Sequence, residues 1–528
     1  MKKRFLIYLA VLSLLCGCGE ASVQKGGADN NTDTTPVAAQ TKVPEEQQTP
    51  KTPIEGGSIT VGITQDLDSL DPHVAVAAGT DEVLFNIFEG LVKADEKGVM
   101  NPAVAESYTI SDDAKTYTFT LRDNVKFHNG NVVTTEDVVY SLKRCAGFTE
   151  AKDPKVLVES ALSIVSDIYA PDEKTVVVAL SEPNTELIYY LTCAIIPKDY
   201  KDQATAPIGT GPFKFVSYEP LQSFVIEKNN DYYGEKAHLD KVTFKIFANV
   251  DSAFMELLAG SIDLMTQLQA DQCKQLEDKY NIVGANYNLV QALFLNNDFE
   301  PFKSAKVRQA LCYAINRDEI NQMISEGQGT IIGSGMFPGI SEYFAEDLVD
   351  YYPFDQEKAQ NILDLTNYDK GLTFTIKIPS SYDSHVATGQ IIVEQLKKMG
   401  ITAKIETVEW STWLTDVYRN RNFEATIIGL DANLAPSDIL KRYNSTAKNN
   451  FINYNNAAFD ACYKQAVESV NIEDKKNYYH KCQEILTKNA ASVFIQDPAQ
   501  LTAVKKDLEG YTPYPIYVFD ASKLYFVK

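Results

Sequence analysis

The sequence predicts an α/β protein on three observations. Strand-period and helix-period segments alternate along the chain, no repeat of 20–50 residues organises it, and 372–408 contains a complete strand–helix–strand crossover. In that stretch Leu372, Phe374, Ile376 and Ile378 alternate with Thr373, Thr375 and Lys377, the pattern of a half-buried strand. A helix follows from about Ser384, with Ile391, Ile392, Gln395, Leu396 and Met399 along one side, and Gly400 stops it as a C′ glycine. Ile401, Ala403 and Ile405 resume the alternation, so the two strands are expected to run parallel.

Other elements follow from the same physics. Val307, Ala310, Leu311, Ala314 and Ile315 keep helical spacing and predict a helix over 304–315. Asn316 and Glu319 make an N-cap and N3 pair for a second helix. Residues 117–121 (Tyr-Thr-Phe-Thr-Leu) read as a strand. Thr134 with Asp137 caps a helix carrying Val138, Val139 and Leu142. Helices over 457–470 and 474–488 form an antiparallel pair that brings Cys462 level with Cys482. A disulfide and two buried free thiols both account for them, and free thiols are preferred.

The chain has 528 residues and a net charge of −22. That length exceeds a single core, and 45% hydrophobic residues supply more than one. So negative a surface is repelled by phosphate backbones and anionic lipid, which argues against a nucleic-acid partner. Lys2, Lys3 and Arg4 precede an apolar run over 5–15, too short for a comfortable membrane span, and make an export signal. Its end, Leu15-Cys16-Gly17-Cys18, resembles a bacterial lipobox. Cys18, preceded by the small Gly17, is the expected lipidation site, whereas bulky Leu15 disfavours Cys16. Residues 19–53 have almost no apolar side chains and read as a flexible tether. The expectation is a signal peptide over 1–17 and a lipidated cysteine with linker over 18–53. The mature protein is then held at the outer face of the cytoplasmic membrane by lipid alone.

No catalytic constellation stands up. Walker A, GxGxxG, HExxH and GxSxG patterns are absent, no CxxC pair occurs, and the five histidines are scattered. Gly209-Thr210-Gly211-Pro212 lacks the lysine of a phosphate loop and reads as a rigid crossing between strands. Asp66, Asp68 and Asp71 read as turn and cap chemistry, since the glutamate of a calcium loop is missing. The expectation is a non-enzyme with no cofactor and no metal.

A series of landmarks in order remains: Gly57-Ser-Ile-Thr-Val-Gly-Ile-Thr64, Leu70-Asp-Pro-His73, Ile87-Phe-Glu-Gly-Leu-Val92, Pro102-Ala-Val-Ala-Glu106, Tyr117-Thr-Phe-Thr-Leu-Arg122, Val125-Lys-Phe-His-Asn-Gly130, Thr135-Glu-Asp-Val-Val139, Pro207-Ile-Gly-Thr-Gly-Pro-Phe213, Gly260-Ser-Ile-Asp263 and Val307-Arg-Gln-Ala-Leu311. In this order the chain from Gly56 onward resembles the family 5 extracellular solute-binding proteins, the oligopeptide- and dipeptide-binding components of ABC importers. The resemblance implies a two-lobed, three-domain periplasmic-binding-protein-like fold with a ligand cleft between the lobes. Domain I would comprise 54–97, 206–290 and 502–528, domain II the insertion 98–205, and domain III 291–501. It implies a monomer that binds a small solute, an oligopeptide first of all, and passes it to permease and ATPase subunits. A non-peptide solute such as an oligosaccharide, for which Trp410 and Trp413 offer stacking surfaces, and a peptide-signal receptor are the alternatives.

The same resemblance carries over a set of ligand residues. The segment after Leu-Asp-Pro-His, by gap-free counting Val76, Ala77 and Ala78, would pair its backbone with an extended peptide. His385 has a counterpart lining the cleft of peptide binders, and capping the helix that follows accounts for it equally well. Peptide binders carry Gly-Trp-x-Ala-Asp where this chain has Gly429, Leu430, Asp431, Ala432 and Asn433. The aspartate that meets the ligand's α-ammonium is therefore Asn433 here. Asp431 offers a substitute carboxylate displaced by ~6–7 Å along the strand.

Overall fold

The computed structural model describes residues 52–528 apart from 76, 154–155, 157–158 and 369–370. The export signal, Cys18, nearly all of the tether and Val76 therefore lie outside the described residues. The described chain builds three main sheets in two lobes. In lobe 1 a seven-stranded mixed sheet runs, edge to edge, Tyr280–Asn286, Ala499–Lys505, Leu264–Leu268, Ser58–Ile63, Lys241–Ile246, Ser223–Lys228 and Phe213–Glu219. Ser58–Ile63 is parallel to both its neighbours, and the remaining pairs are antiparallel. A four-stranded antiparallel sheet (Ala105–Ile110, Thr116–Leu121, Thr175–Leu180, Val165–Tyr169) is inserted in the same lobe and packs on helix Thr135–Cys145. Lobe 2 holds a six-stranded sheet, in the order Thr330–Ile331, Val493–Asp497, Val290–Leu295, Ala425–Leu430, Thr373–Pro379 and Thr402–Val408.

The crossover forms as its periodicity requires. Thr373–Pro379 and Thr402–Val408 pair in parallel with helix Asp383–Lys397 between them. Gly400 takes φ +75°, and the Ile401 N–H closes the helix end on the Leu396 carbonyl at 3.2 Å. The Thr134–Asp137 capping box is complete, with both reciprocal bonds made. At Asn316 only half the expected box forms. Its side chain accepts the Glu319 N–H at 3.0 Å, but Gln395 of the crossover helix takes the reciprocal role, accepting the Asn316 N–H at 3.0 Å and donating to Glu319 at 2.8 Å. A tertiary neighbour has displaced a local bond. Helices Ala457–Glu468 and Ile472–Lys488 pack together, and Cys462 and Cys482 are buried free thiols, with Cys462 Sγ 3.1 Å from the Tyr478 carbonyl.

All the landmark motifs but Val307-Arg-Gln-Ala-Leu311, which lies in lobe 2, belong to the frame of lobe 1. Gly211 N–H donates to the Ile87 carbonyl at 2.8 Å. A Cβ on Gly209 would stand 2.1 Å from Ile87 O and one on Gly211 2.5 Å from Asn86 O, so only glycine permits this approach. His128 caps the crossing, with Nε2 3.1 Å from Gly211 O and Nδ1 accepting the Gly209 N–H at 3.3 Å. Buried Glu89 accepts the Tyr232 hydroxyl at 2.7 Å and Thr210 Oγ1 at 3.3 Å. Asp71 is more than a turn residue: it pairs through both oxygens with Arg144, at 3.0 and 2.7 Å.

The chain passes between the lobes twice, once over 287–289 and once at Pro498. The two crossings are tied to each other. Tyr287 N–H donates to the Pro498 carbonyl at 2.9 Å, and Leu289 N–H to Asp497 Oδ1 at 3.0 Å.

Candidate functional site: a cleft at the hinge

A cavity of about 730 Å³ opens beside these crossings, walled by both lobes. That size is in the range of small-molecule sites. Lobe 1 supplies the short helix Ala78–Leu84, Phe85, Lys93 and Tyr189, together with the C-terminal segment Tyr511 to Val518. Tyr514, Pro515 and Tyr517 in that segment give rigid aromatic wall. Lobe 2 supplies Asp431 to Leu434, which follow strand Ala425–Leu430, and Asp438 and Arg442 on or just after helix Pro436–Lys441.

Of the residues singled out in the sequence, Ala78, Asp431 and Asn433 line this cavity, and Ala77 is the N-cap residue beside Ala78. Three others do not. Leu430 turns onto the core of lobe 2, and Gly429 lies within the strand, its N–H spent on His385 Nε2 at 3.1 Å. His385 itself is buried in the first turn of helix Asp383–Lys397. Its Nδ1 lies 2.9 Å from the Gln291 side-chain nitrogen, so both ring nitrogens are packed against protein groups. Burial pushes its pKa down to about 4, so the ring is a neutral clamp between strands and leaves no nitrogen for a ligand. Neither tryptophan lines the cavity: Trp413 is buried with Nε1 bonded to Thr426 Oγ1 at 2.9 Å, and Trp410 stacks on it with centroids 5.2 Å apart.

The cavity is anionic. Asp81, Glu82, Glu89, Asp431 and Asp438 stand against Lys93 and Arg442. Lys93 is already engaged, 3.7 Å from Glu89 and 4.0 Å above the Phe85 ring. Arg442 donates to the Asp431 carbonyl at 2.7 Å. Asp438 accepts the Asn433 N–H at 3.1 Å, which sets a carboxylate beside Asn433. The Asn433 side chain meets the Tyr190 hydroxyl from lobe 1. Asp81 and Glu82 have no hydrogen-bond or ion-pair partner among the described residues. Burial pushes Glu82 up to about 7, and burial together with the charge of Asp68 pushes the more open Asp81 up to about 6. Asp81, Glu82, Asp438 and Arg442 were not legible in the sequence. The Tyr-Pro alternation over 511–517, a signature of stiff extended chain, was the one available signal for the aromatic wall.

Two α/β lobes joined by paired crossings around a chamber of this kind define a solute-binding protein. Residues 99–451 match the model described as bacterial extracellular solute-binding proteins, family 5 middle, and the chain belongs to that family. The oligopeptide-binding protein AppA of Bacillus subtilis is 27% identical over 503 residues, covering 88% of this chain and 90% of AppA. Heme-binding protein A of Haemophilus influenzae is 27% identical over 462 residues, 80% of this chain and 83% of its own. Among solved structures, the ABC transporter-associated periplasmic binding protein DppA from Helicobacter pylori, in complex with the peptide STSA, matches with a TM-score of 0.69 at 28% identity, over 90% of this chain and 99% of that one. AppA and Heme-binding protein A are named for what they bind and DppA for its association with an ABC transporter, and the chain is a solute-binding protein of this family, not an enzyme. Among the described residues no group of three or more His, Cys, Asp or Glu is placed to hold a metal, and no helix is long and apolar enough to cross a membrane.

Proposed function

We propose that the protein is the exported, lipid-anchored binding component of an ABC importer, that it takes up an oligopeptide in the hinge cleft, and that it delivers the peptide to the permease. The anionic cavity carries this reading: with Lys93 and Arg442 engaged, Asp81, Glu82 and Asp438 offer charge that a peptide's α-ammonium or basic side chain would neutralise. Asp438, with Asp431 nearby, stands in for the aspartate replaced by Asn433. Ala77 and Ala78 leave backbone free of bulk along the opposite wall, suited to an extended main chain. The names of AppA and of the DppA complex support a peptide. Trp413 is buried and neither tryptophan lines the cleft, which speaks against an oligosaccharide. In this reading Cys18 carries the acyl chains, the protein works as a monomer, and the lobes divide into domain I (54–97, 206–290, 502–528), domain II (98–205) and domain III (291–501).

The test is mass spectrometry of the solute released when the purified protein is denatured. Peptides are the expected result. A sugar, a porphyrin or another non-peptide solute recovered in stoichiometric amount would overturn the peptide assignment while leaving the family intact.

A further inference from the structure

Glu186 belongs to lobe 1, where its backbone is pinned: its N–H donates to Asn184 Oδ1 at 2.7 Å, and the Asn184 carbonyl accepts the Tyr117 hydroxyl at 2.8 Å. Its carboxylate, however, is enclosed by lobe 2. Oε1 accepts from Lys475 Nζ at 2.8 Å and from the Tyr479 hydroxyl, and Oε2 accepts from the Ser437 N–H at 3.1 Å. Glu186 is 2% exposed and Lys475 3%, and Tyr479 is fully buried. Beside them Thr185 Oγ1 donates to the Ser469 carbonyl at 3.2 Å, again across the lobes. The cluster bounds a second inter-lobe cavity of about 440 Å³, which adjoins the anionic chamber through Met100, Tyr189 and Leu434.

We propose that Glu186 and Lys475 form a latch that is complete only when the lobes are closed. A buried ion pair contributes little net stability, because desolvating both charges offsets their attraction. Its effect is on geometry. Three donors from two helices of lobe 2 converge on one carboxylate from lobe 1, so a change of lobe angle pulls them away from it together. When the lobes part, carboxylate and ammonium are both hydrated. When the lobes close with one partner neutralised, the other charge is buried without compensation. Each single change therefore penalises the closed state alone, whereas removing both charges relieves the penalty. This inference rests on the two-lobed fold and not on the identity of the solute.

The test needs no ligand. Lys97 and Ser341 face each other across the lobes, with Ser341 Oγ 3.5 Å from the Lys97 carbonyl, and both are exposed. Mild oxidation of a Lys97→Cys/Ser341→Cys pair should then cross-link the lobes at a rate that follows the closed population. Glu186→Gln and Lys475→Met should each slow that trapping by about a hundredfold. The Glu186→Gln/Lys475→Met combination should return it to within about threefold of the parent. Tyr479→Phe, which removes one donor and keeps the ring packing, should slow it severalfold and serves where a single charge variant fails to fold. Trapping at the parent rate in the single variants or in Tyr479→Phe, or a double variant as slow as the singles, would overturn the latch.

Discussion

The carboxylate of Asp71 and the guanidinium of Arg144 face each other through two bonds, 3.0 and 2.7 Å long, across 73 residues of sequence. The pair fixes the Leu-Asp-Pro-His turn to helix Thr135–Cys145. His73 completes it by receiving Arg144 Nη1 on Nδ1 at 3.0 Å and donating from Nε2 to the Ala194 carbonyl at 2.8 Å. The turn leads directly into helix Ala78–Leu84, so this buried pair orients one wall of the cleft.

Asp71→Asn leaves the guanidinium in a site only 6% exposed, and should destabilise the fold by ~3 kcal/mol, toward the lower end for a broken buried pair because Asp153 is 3.1 Å from the same group. Arg144→Lys keeps the charge but loses the fork, and should cost less. Urea unfolding of both variants measures the difference.

Asn433→Asp should strengthen binding of peptides with a free N-terminus. The gain should be about tenfold or less, because Asp438 already holds charge at that wall and opposes a second carboxylate. Titration calorimetry with amino-free and N-acetylated peptides separates the cases: a gain for both alike, or for neither, contradicts the assignment.

Affinity for a peptide with a free N-terminus should rise between pH 5.5 and 7, below the ~7.7 at which an α-ammonium titrates. The raised values of Asp81, about 6, and Glu82, about 7, mean that both carboxyls become anionic across that interval, and each new charge attracts the cation. Glu82→Gln should flatten much of the rise in a pH series of calorimetric titrations.

His385 should make the fold acid-labile. Its pKa is about 4 when folded and 6.5 as an unperturbed side chain, so below pH 6.5 the unfolded chain binds the proton more readily. The contribution is fully present above pH 6.5, declines as pH falls and levels off below 4, for a loss of at most about 3 kcal/mol. His385→Asn, which cannot titrate, should show a shallower fall in melting temperature from pH 7 to 4.

Local periodicity made the crossover over 372–408 readable to within a few residues, because one face of each strand is buried and a shift of one residue would turn it outward. Landmarks such as Gly209-Thr-Gly-Pro212 were visible as markers of a family, but their reason was not. Gly209 is required by the carbonyl of Ile87, far away in sequence. The cleft was the least legible part. Asp81, Glu82, Asp438 and Arg442 come from separate segments and look like ordinary surface charge until the lobes bring them together. His385 came into the candidate site through the resemblance alone, with helix capping as the other reading, and only its contacts with Gly429 and Gln291 show it packed inside the lobe.

The chain crosses between the lobes at two adjacent points, and each is stitched to the other through Pro498 and Asp497. Two tethers side by side behave as the leaves of a door: they leave one easy rotation and resist twist and translation. Whatever fills the chamber is thereby converted into a single angle. If the protein delivers its solute to a permease as proposed, a partner that touches only the outer rims of the lobes has one number to read, and need never contact the cargo itself.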